Sequence, residues 1–177
     1  MWRALAGLLL LALPAAAAPA SAKKAPCDLV IVAGHALPMN AGFTVRGATA
    51  VAVRGGEIVA VGDPAAIDAA WAPKQRIERK NAVLLPGLVN THGHAAMNLL
   101  RGISNDQPLM EWLTKYIFPA EAKNVSPEFV RAGTDLACVE MIRGGTTTFA
   151  DMYYYESDVA ASVDRAGLRG VLGETWI

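Results

Sequence analysis

The sequence is poor in the residues that mark several classes of protein. It has two cysteines, Cys27 and Cys138, and only three histidines among 177 residues. Its 16 basic and 16 acidic side chains cancel to a formal net charge of zero, which gives no sign of a nucleic-acid partner. A disulfide between the two cysteines is possible in an oxidising compartment, but their spacing does not argue for one. Cys138 falls in a predicted helix and is expected to be a small buried side chain.

Long hydrophobic runs are also scarce, and the one that exists lies at the N-terminus. Arg3 precedes the apolar residues 4–18, and Ala20-Ser21-Ala22 fits a small-residue cleavage site. This order is typical of a secretory signal peptide, and the run is short and alanine-rich for a membrane span. We therefore expect residues 1–22 to be removed and the protein to be exported to the periplasm or the extracellular space, with no stable membrane anchor. An uncleaved anchor is the alternative.

The stretch that follows reads as short strands separated by glycine-containing turns. The predicted strands are residues 28–33, 49–53, 57–61 and 76–79. Gly55-Gly56 is a predicted hairpin turn, because glycine takes positive φ at little cost, and residues 64–71 are a predicted short helix. His35 falls at a strand end, where we interpret it as a surface histidine.

The most informative stretch is residues 84–94, with the sequence LLPGLVNTHGH. In a strand every second side chain lies on the same face, so His92 and His94 would point the same way. Two converging imidazoles suit a divalent transition metal, most often zinc. Because a His-x-His tripeptide alone is common, a pair of surface or hydrogen-bonded histidines is the alternative.

Helices and strands alternate towards the end of the chain. Ser126 and Pro127 predict the start of a helix that ends at Gly144-Gly145. Residues 146–152 and 169–176 are predicted strands, and the helix between them is predicted to be capped by Ser157. Alternating strands and helices predict a parallel sheet.

The histidine motif continues as AAMNLLRG over residues 95–102. The whole sequence 86–102 resembles the first metal-binding strand of the amidohydrolase superfamily, in the branch of S-adenosylhomocysteine and methylthioadenosine deaminases, guanine deaminase and triazine chlorohydrolases. The resemblance runs from about residue 28 to the last. It implies an α/β fold, with the first three strands of a (β/α)8 TIM-type barrel over residues 83–177 and part of a small β-sandwich over residues 23–82. A full barrel takes about 250 residues, so the barrel is expected to be incomplete in this chain.

The resemblance also implies the chemistry. The whole protein would be a metal-dependent hydrolase of carbon–nitrogen bonds, most plausibly a deaminase of a purine nucleoside or related small heterocycle. One divalent metal, zinc in preference to Fe2+ or Mn2+, would be held by His92, His94 and residues from later strands. Because a catalytic zinc takes three protein ligands, we assign no catalytic residue in this chain and expect the 177 residues alone to be inactive and poorly soluble.

Glu121, Trp112 and Met97 are the predicted substrate-binding residues. Glu121 matches the family's acid that binds ribose hydroxyls, a role that suits the two acceptor oxygens of a carboxylate. An exposed acid at a helix N-terminus is the alternative. Trp112 resembles a tryptophan that lines the nucleoside pocket, and Met97 would lie at the same mouth; packing in the core is the alternative for both. Residues 95–125 are too long for an ordinary loop and would form a wall of the site.

The sequence also predicts roles for three other charged residues. Asp151, at the end of the second barrel strand, is expected to accept structural hydrogen bonds rather than to ligate the metal. Arg101 is expected to orient its loop through carbonyl contacts. Glu174 stands where some S-adenosylhomocysteine deaminases carry an arginine, and this reversal of charge leaves a different purine or pterin-like substrate open.

Three alternatives to the deaminase hypothesis remain at this point. The protein could be a chlorohydrolase or a guanine deaminase of the same superfamily, or a barrel relative that binds partners without turnover. The intact pair His92 and His94 argues against the last. The chain could also be an incomplete product with no function of its own. The oligomeric state is open, and a homo-oligomer is an option for the whole protein.

Overall fold

The computed structural model describes residues 23–175, which form a mixed α/β structure. The predicted signal peptide, residue 176 of the final predicted strand and residue 177 lie outside the described part. The chain divides into two compact units, with the boundary between Leu85 and Pro86. Across residues 23–175, no helix combines the length and the apolar character that crossing a membrane requires.

The first unit is a four-stranded sheet with one short helix. Its elements are β1 (Ala25–Ala36), β2 (Thr49–Arg54), β3 (Glu57–Gly62), α1 (Pro64–Ala70) and β4 (Trp71–Leu84). The strand order is β3-β2-β1-β4, with β1 antiparallel to β2 and parallel to β4. The predicted hairpin is present, with positive φ at both Gly55 and Gly56. Within residues 23–85 the strands form this one sheet, and a second layer of the sandwich stays a prediction.

Strand β4 is much longer than the predicted residues 76–79. It pairs with β1 along nearly its whole length, from Trp71 to Leu84. Its charged residues hid this length, because an edge strand needs no continuous apolar pattern. His35, on β1, is exposed as predicted.

The second unit contains a three-stranded parallel sheet. The order is β5 (Leu88–Asn90), β6 (Thr146–Tyr153) and β7 (Arg169–Glu174). Helix α4 (Pro127–Gly144) leads from β5 to β6, and α5 (Glu156–Ala166) leads from β6 to β7. The parallel pairing agrees with the prediction from alternating strands and helices. It places the carboxyl ends of the three strands at one edge of the sheet.

Residues 95–125 are largely helical. They contain a 3₁₀ helix (Ala95–Leu100), α2 (Leu109–Trp112), a π-helical turn (Leu113–Ile117) and α3 (Phe118–Asn124). The 3₁₀ helix packs on α4 at Gly133, where a Cβ atom would overlap the main chain of Ala96. The glycine therefore permits this close approach of two backbones.

The core of this unit lies between the sheet and the helices α4 and α5. Phe149, Val130 and Val159 are its most buried large side chains. Cys138 packs there with 2% of its surface exposed, as predicted. Its thiol is free, as is that of Cys27, and burial raises the pKa of the Cys138 thiol.

The two long helices differ in how well their starts were predicted. For α4, Ser126 accepts a hydrogen bond from the Phe129 N–H at 3.2 Å, and Gly145 ends the helix with φ of 83°. Both ends were predicted correctly. Helix α5 begins at Glu156 after Tyr155, which has φ of 55°. The predicted cap Ser157 is therefore wrong, because it lies inside the first turn.

Candidate functional site

The two histidines of the motif converge just beyond the end of β5. The strand stops at Asn90, so the alternation of side chains along a strand, on which the prediction relied, does not extend to His92 and His94. Their rings nevertheless lie with centroids 5.0 Å apart and planes at 82°. The Asn90 side-chain oxygen accepts a hydrogen bond from the His92 N–H at 3.2 Å, which helps to set the conformation of the turn.

The orientation of the His94 ring is set by the neighbouring strand. Its Nδ1–H donates to the main-chain carbonyl of Met152 at 2.7 Å. A carbonyl can only accept, so Nδ1 carries a proton, and in the neutral tautomer that this contact selects Nε2 has the lone pair. This is the arrangement that metal-ligating histidines commonly show, with one ring nitrogen held by the protein and the other available to the ion.

The histidine turn is also attached to the end of β6 through its main chain. The Met152 N–H donates to the Gly93 carbonyl at 3.3 Å, and the Ala95 N–H donates to the Asp151 carboxylate at 2.8 Å. A Cβ at position 93 would lie 3.2 Å from the Ala150 carbonyl oxygen, so a glycine suits the close approach. Asp151 thus has the expected structural hydrogen bond.

Asp151 lies in a buried acidic environment. It is 5% exposed, and burial raises the pKa of its carboxyl group. Glu156, 6% exposed, lies close to it. Burial is also the main cause that raises the pKa of Glu156, to about 7, and the negative charges of Asp151 and Glu174 add to the shift. Sequence reasoning missed Glu156, which shows no signal beyond its position at the start of α5.

The donor set fits part of a metal site. Among residues 23–175, no group of three or more histidine, cysteine, aspartate or glutamate side chains is placed to hold a metal ion. His92 and His94 supply two nitrogen donors, and the fixed Nε2 lone pair of His94 suits zinc or a similar divalent ion. These residues therefore fit two of the three protein positions that a catalytic zinc requires.

A groove of about 330 Å³ is lined by His94 and by all three predicted substrate-binding residues, Met97, Trp112 and Glu121. Tyr153 also lines it. The structure thus brings the predicted residues together beside one histidine of the pair.

Glu121 is buried, with 9% of its surface exposed, so the alternative of an exposed helix acid is wrong. The Tyr153 hydroxyl donates to its carboxylate at 2.8 Å. Burial, with the neighbouring Glu121 carboxylate, raises the pKa of Tyr153 far above its usual range, so the hydroxyl remains a donor. Sequence reasoning gave Tyr153 no role, since nothing local connects it to Glu121.

Two other charged residues have partners that were not predicted. Arg101 makes two hydrogen bonds to the Glu140 carboxylate on α4, at 3.0 and 2.6 Å. The predicted carbonyl contacts of Arg101 are therefore wrong. Glu174, at the end of β7, accepts hydrogen bonds from the main-chain N–H groups of Tyr155 and Glu156 at 2.9 and 2.7 Å. It caps α5 from a distant strand and lines a second cavity, of about 540 Å³.

Comparison with known proteins gives a consistent family. The model of the amidohydrolase family matches residues 83–177. The chain is 48% identical over 149 residues to a 5-methylthioadenosine/S-adenosylhomocysteine deaminase of Nitratidesulfovibrio vulgaris, an alignment that covers 84% of this chain and 34% of the relative. It is 54% identical over 96 residues to a 5'-deoxyadenosine deaminase of Methanocaldococcus jannaschii, covering 54% of this chain and 23% of the relative.

Comparison with solved structures agrees with this result. A zinc-bound adenosine deaminase from Xanthomonas campestris superposes with a TM-score of 0.80 at 44% identity, covering 84% of this chain and 34% of that one. A zinc-bound atrazine chlorohydrolase from Arthrobacter aurescens superposes with a TM-score of 0.72 at 19% identity, covering 82% and 35%, which is a likeness of fold alone. The chain thus spans about a third of the length of these proteins.

Proposed function

The chain belongs to the amidohydrolase family, and from this premise we propose that it is part of a zinc-dependent hydrolase that deaminates a purine nucleoside or a related heterocycle. The observation that carries the proposal is the position of His94. Its ring is held through Nδ1 by the Met152 carbonyl, and it lines the same groove as the buried acid Glu121. The names of the relatives, which are deaminases of adenosine-type nucleosides, support the same activity.

We further propose that β5, β6 and β7 are the first three strands of a (β/α)8 barrel. The parallel order supports this, as does the likeness to structures three times as long. So does the placement of the site residues. His92 and His94 follow β5, Asp151 lies near the end of β6 and Glu174 at the end of β7. In such barrels the loops at the carboxyl ends of the strands build the active site.

His92 and His94 would hold the metal, with zinc favoured. When bound, such an ion polarises the substrate and lowers the pKa of water towards 7, the Lewis-acid chemistry that hydrolysis of an amino-substituted ring needs. The chain's own residues orient the substrate. Glu121 accepts hydrogen bonds from the sugar hydroxyls, while Trp112 and Met97 supply apolar walls that exclude water from the ring.

Ammonia release tests the proposal. The protein is expressed from its complete reading frame, loaded with zinc and offered adenosine, 5'-deoxyadenosine, guanine and atrazine. We expect ammonia from the adenosine-type substrates and loss of turnover on chelation. Release of ammonia from guanine alone, or of chloride from atrazine alone, would favour the other hydrolase types. The 177-residue chain by itself is expected to release no ammonia.

Metal content separates the enzyme from a non-catalytic binding protein. A deaminase of this type should purify with about one zinc per chain. A pure, folded protein that contains no zinc after growth with zinc, and that releases no ammonia from any purine, would overturn the proposal.

Export stays part of the proposal and has its own test. If residues 1–22 are a signal peptide, protein from the periplasm or the medium should begin near Lys23. Mass spectrometry of the intact protein decides this, because an uncleaved anchor would retain Met1 in a membrane fraction.

A further inference from the structure

Asp151 and Glu156 form a buried pair of carboxyl groups beside the histidine turn. They are 5% and 6% exposed, and their side chains are in hydrogen-bond contact. Oδ2 of Asp151 and both carboxyl oxygens of Glu156 have essentially no accessible surface, and within residues 23–175 they meet no N–H or hydroxyl donor. An atom without accessible surface cannot be contacted from outside. The described part of the chain therefore already fixes the surroundings of these oxygens.

The hydrogen bonds around the pair show which carboxyl group holds a proton. Two carboxyl groups that share a buried site cannot both be charged at little cost, so one of them keeps its proton. Oδ1 of Asp151 accepts a hydrogen bond from the Ala95 N–H at 2.8 Å, which favours the charged form of Asp151. The N–H groups of Tyr155 and Glu156 at the start of α5 are already engaged by Glu174, at 2.9 and 2.7 Å. They leave the Glu156 carboxyl group without the support that Asp151 has.

The pKa of Glu156 agrees with this assignment. Burial raises it to about 7, and the negative charges of Asp151 on β6 and Glu174 on β7 add to the shift. The nearby main-chain N–H of Tyr153 lowers the pKa, but by less than burial raises it. Glu156 is therefore the member of the pair that stays neutral in weakly acidic solution.

We propose that Glu156 is a positioning residue for the metal-binding turn, a neutral acid whose O–H donates to Oδ2 of Asp151 and keeps that carboxylate charged and oriented. Oδ1 of Asp151 then holds the Ala95 N–H, next to His94 in the chain. A charged acceptor makes a stronger hydrogen bond than a neutral one, so the proton on Glu156 strengthens the attachment of the turn to β6. This inference rests on the proposed function in one respect, since it takes His92 and His94 to bind the metal.

Two substitutions at position 156 distinguish a neutral donor from a charged acid. Glu156→Gln keeps the shape of the side chain and offers an amide N–H to Asp151, as the neutral acid does. Glu156→Met keeps the length, removes the donor and places a flexible apolar side chain in a buried position. Glu128→Gln, at the exposed start of α4, is the control for loss of a carboxylate elsewhere. All variants are made in protein expressed from the complete reading frame.

Hydrogen exchange in the peptide that contains Ala95, followed by mass spectrometry without metal, measures how firmly the turn is held. We expect exchange there to be about tenfold faster in Glu156→Met, and unchanged in Glu156→Gln and Glu128→Gln. Exchange in the rest of the protein should stay at the wild-type rate in all three.

Equilibrium dialysis gives the effect on the metal. Glu156→Met should weaken zinc binding by about tenfold, the lower end of the 10–100-fold that loss of an outer partner costs at metal sites. Glu156→Gln should bind zinc as the wild type does.

Infrared spectroscopy tests the proton itself. Below the pKa of about 7, the wild type should show a C=O stretch of a protonated carboxyl group. This band should disappear in Glu156→Gln and remain in Glu128→Gln.

Several results would overturn the inference. Equal changes in Glu156→Gln and Glu156→Met would mean that Glu156 acts through a negative charge, and wild-type exchange in Glu156→Met would mean that it does not hold the turn. Faster exchange throughout Glu156→Met would mark a general structural role, and an infrared band that survives in Glu156→Gln would place the proton elsewhere. The proposed function fails separately. The expected exchange and infrared results in a protein that binds no zinc and releases no ammonia would overturn the hydrolase proposal and support the role of Glu156 in holding the turn.

Discussion

Tyr153 and Glu121 are joined by a hydrogen bond of 2.8 Å between the phenol and the carboxylate, although they stand 32 residues apart in the chain. Tyr153 is the last residue of β6, and Glu121 lies in α3. The bond therefore attaches the helical wall of the groove to the strand whose Met152 carbonyl holds His94. Glu121 and His94, which both line the groove, are thus attached to the same strand.

Tyr153→Phe should destabilise the protein by about 1–3 kcal/mol, because it leaves a buried carboxylate without its donor. Urea unfolding of protein from the complete reading frame measures this. Tyr116→Phe is the matched control, since no partner for the Tyr116 hydroxyl is found in the described part of the chain, and it should cost little. Equal effects of the two changes would show that the Tyr153–Glu121 bond contributes nothing specific.

His94→Ala should weaken zinc binding by more than the roughly 10–100-fold that loss of a ligand's second partner typically costs. Equilibrium dialysis against a zinc buffer gives the dissociation constant. His35→Ala removes an exposed histidine of the first unit and should leave zinc affinity unchanged. If both variants bind zinc as tightly as the wild type, the pair at positions 92 and 94 is not the metal site.

Glu156→Gln should remove a pH dependence of stability. The pKa of Glu156 is raised from 4.5 to about 7 in the folded protein, so the folded state holds this proton more tightly than the unfolded chain. The stabilisation is fully present below about pH 4.5 and is lost as the pH rises to about 7. Between pH 4.5 and 7 the free energy of unfolding of the wild type should therefore fall relative to that of the variant, by up to about 3 kcal/mol.

Glu128→Gln is the control for this prediction, because its effect on the pH dependence of stability should have the opposite sign. Glu128 is exposed in the first turn of α4, and a hydrogen bond from its own main-chain N–H, then one from Ser126, lower the pKa of its carboxyl. The stabilisation that the Glu128 carboxylate contributes is present above its unfolded pKa and is lost on acidification. Chemical denaturation at several pH values separates the two slopes. A difference curve for Glu156→Gln that is flat between pH 4.5 and 7 would contradict the raised pKa.

Gly133→Ala should destabilise the second unit by about 1–3 kcal/mol, since the new methyl group would overlap the main chain of Ala96. Gly144→Ala, in the last turn of the same helix, meets nothing within 4 Å. It should be neutral or stabilise by up to about 1 kcal/mol. Thermal unfolding compares them, and similar shifts for the two variants would contradict the close packing of the 3₁₀ helix on α4.

The sequence was sufficient to predict the features whose interacting residues are close in the chain. Ser126 and Gly145 predicted both ends of α4, and Gly55-Gly56 predicted the hairpin, because caps and turns are satisfied within a few residues. The convergence of His92 and His94 was also predicted. The reason given was only partly right, since the strand ends two residues before His92 and the turn, rather than the strand, brings the rings together.

The two errors in hydrogen-bond partners involve residues that are distant in the chain. Ser157 was predicted to cap α5, but the acceptor is Glu174, 18 residues from Glu156. Arg101 was expected to contact its own loop, but it pairs with Glu140, 39 residues away. Such pairs form only when the sheet has brought separate elements together, and no local pattern specifies which of many carboxylates a given donor will meet.

The hydrogen bond between His94 and Met152 bears on how this site can change over evolution. The acceptor is a main-chain carbonyl, which every amino acid supplies, so replacing the side chain at position 152 does not remove it. That side chain is 52% exposed and lines the groove. Met152 thus has two separate roles. Its main-chain carbonyl holds the histidine and is kept when the side chain is replaced, while its side chain lines the groove and changes with each substitution. Ligand preference at this position can drift while the orientation of the histidine is inherited unchanged.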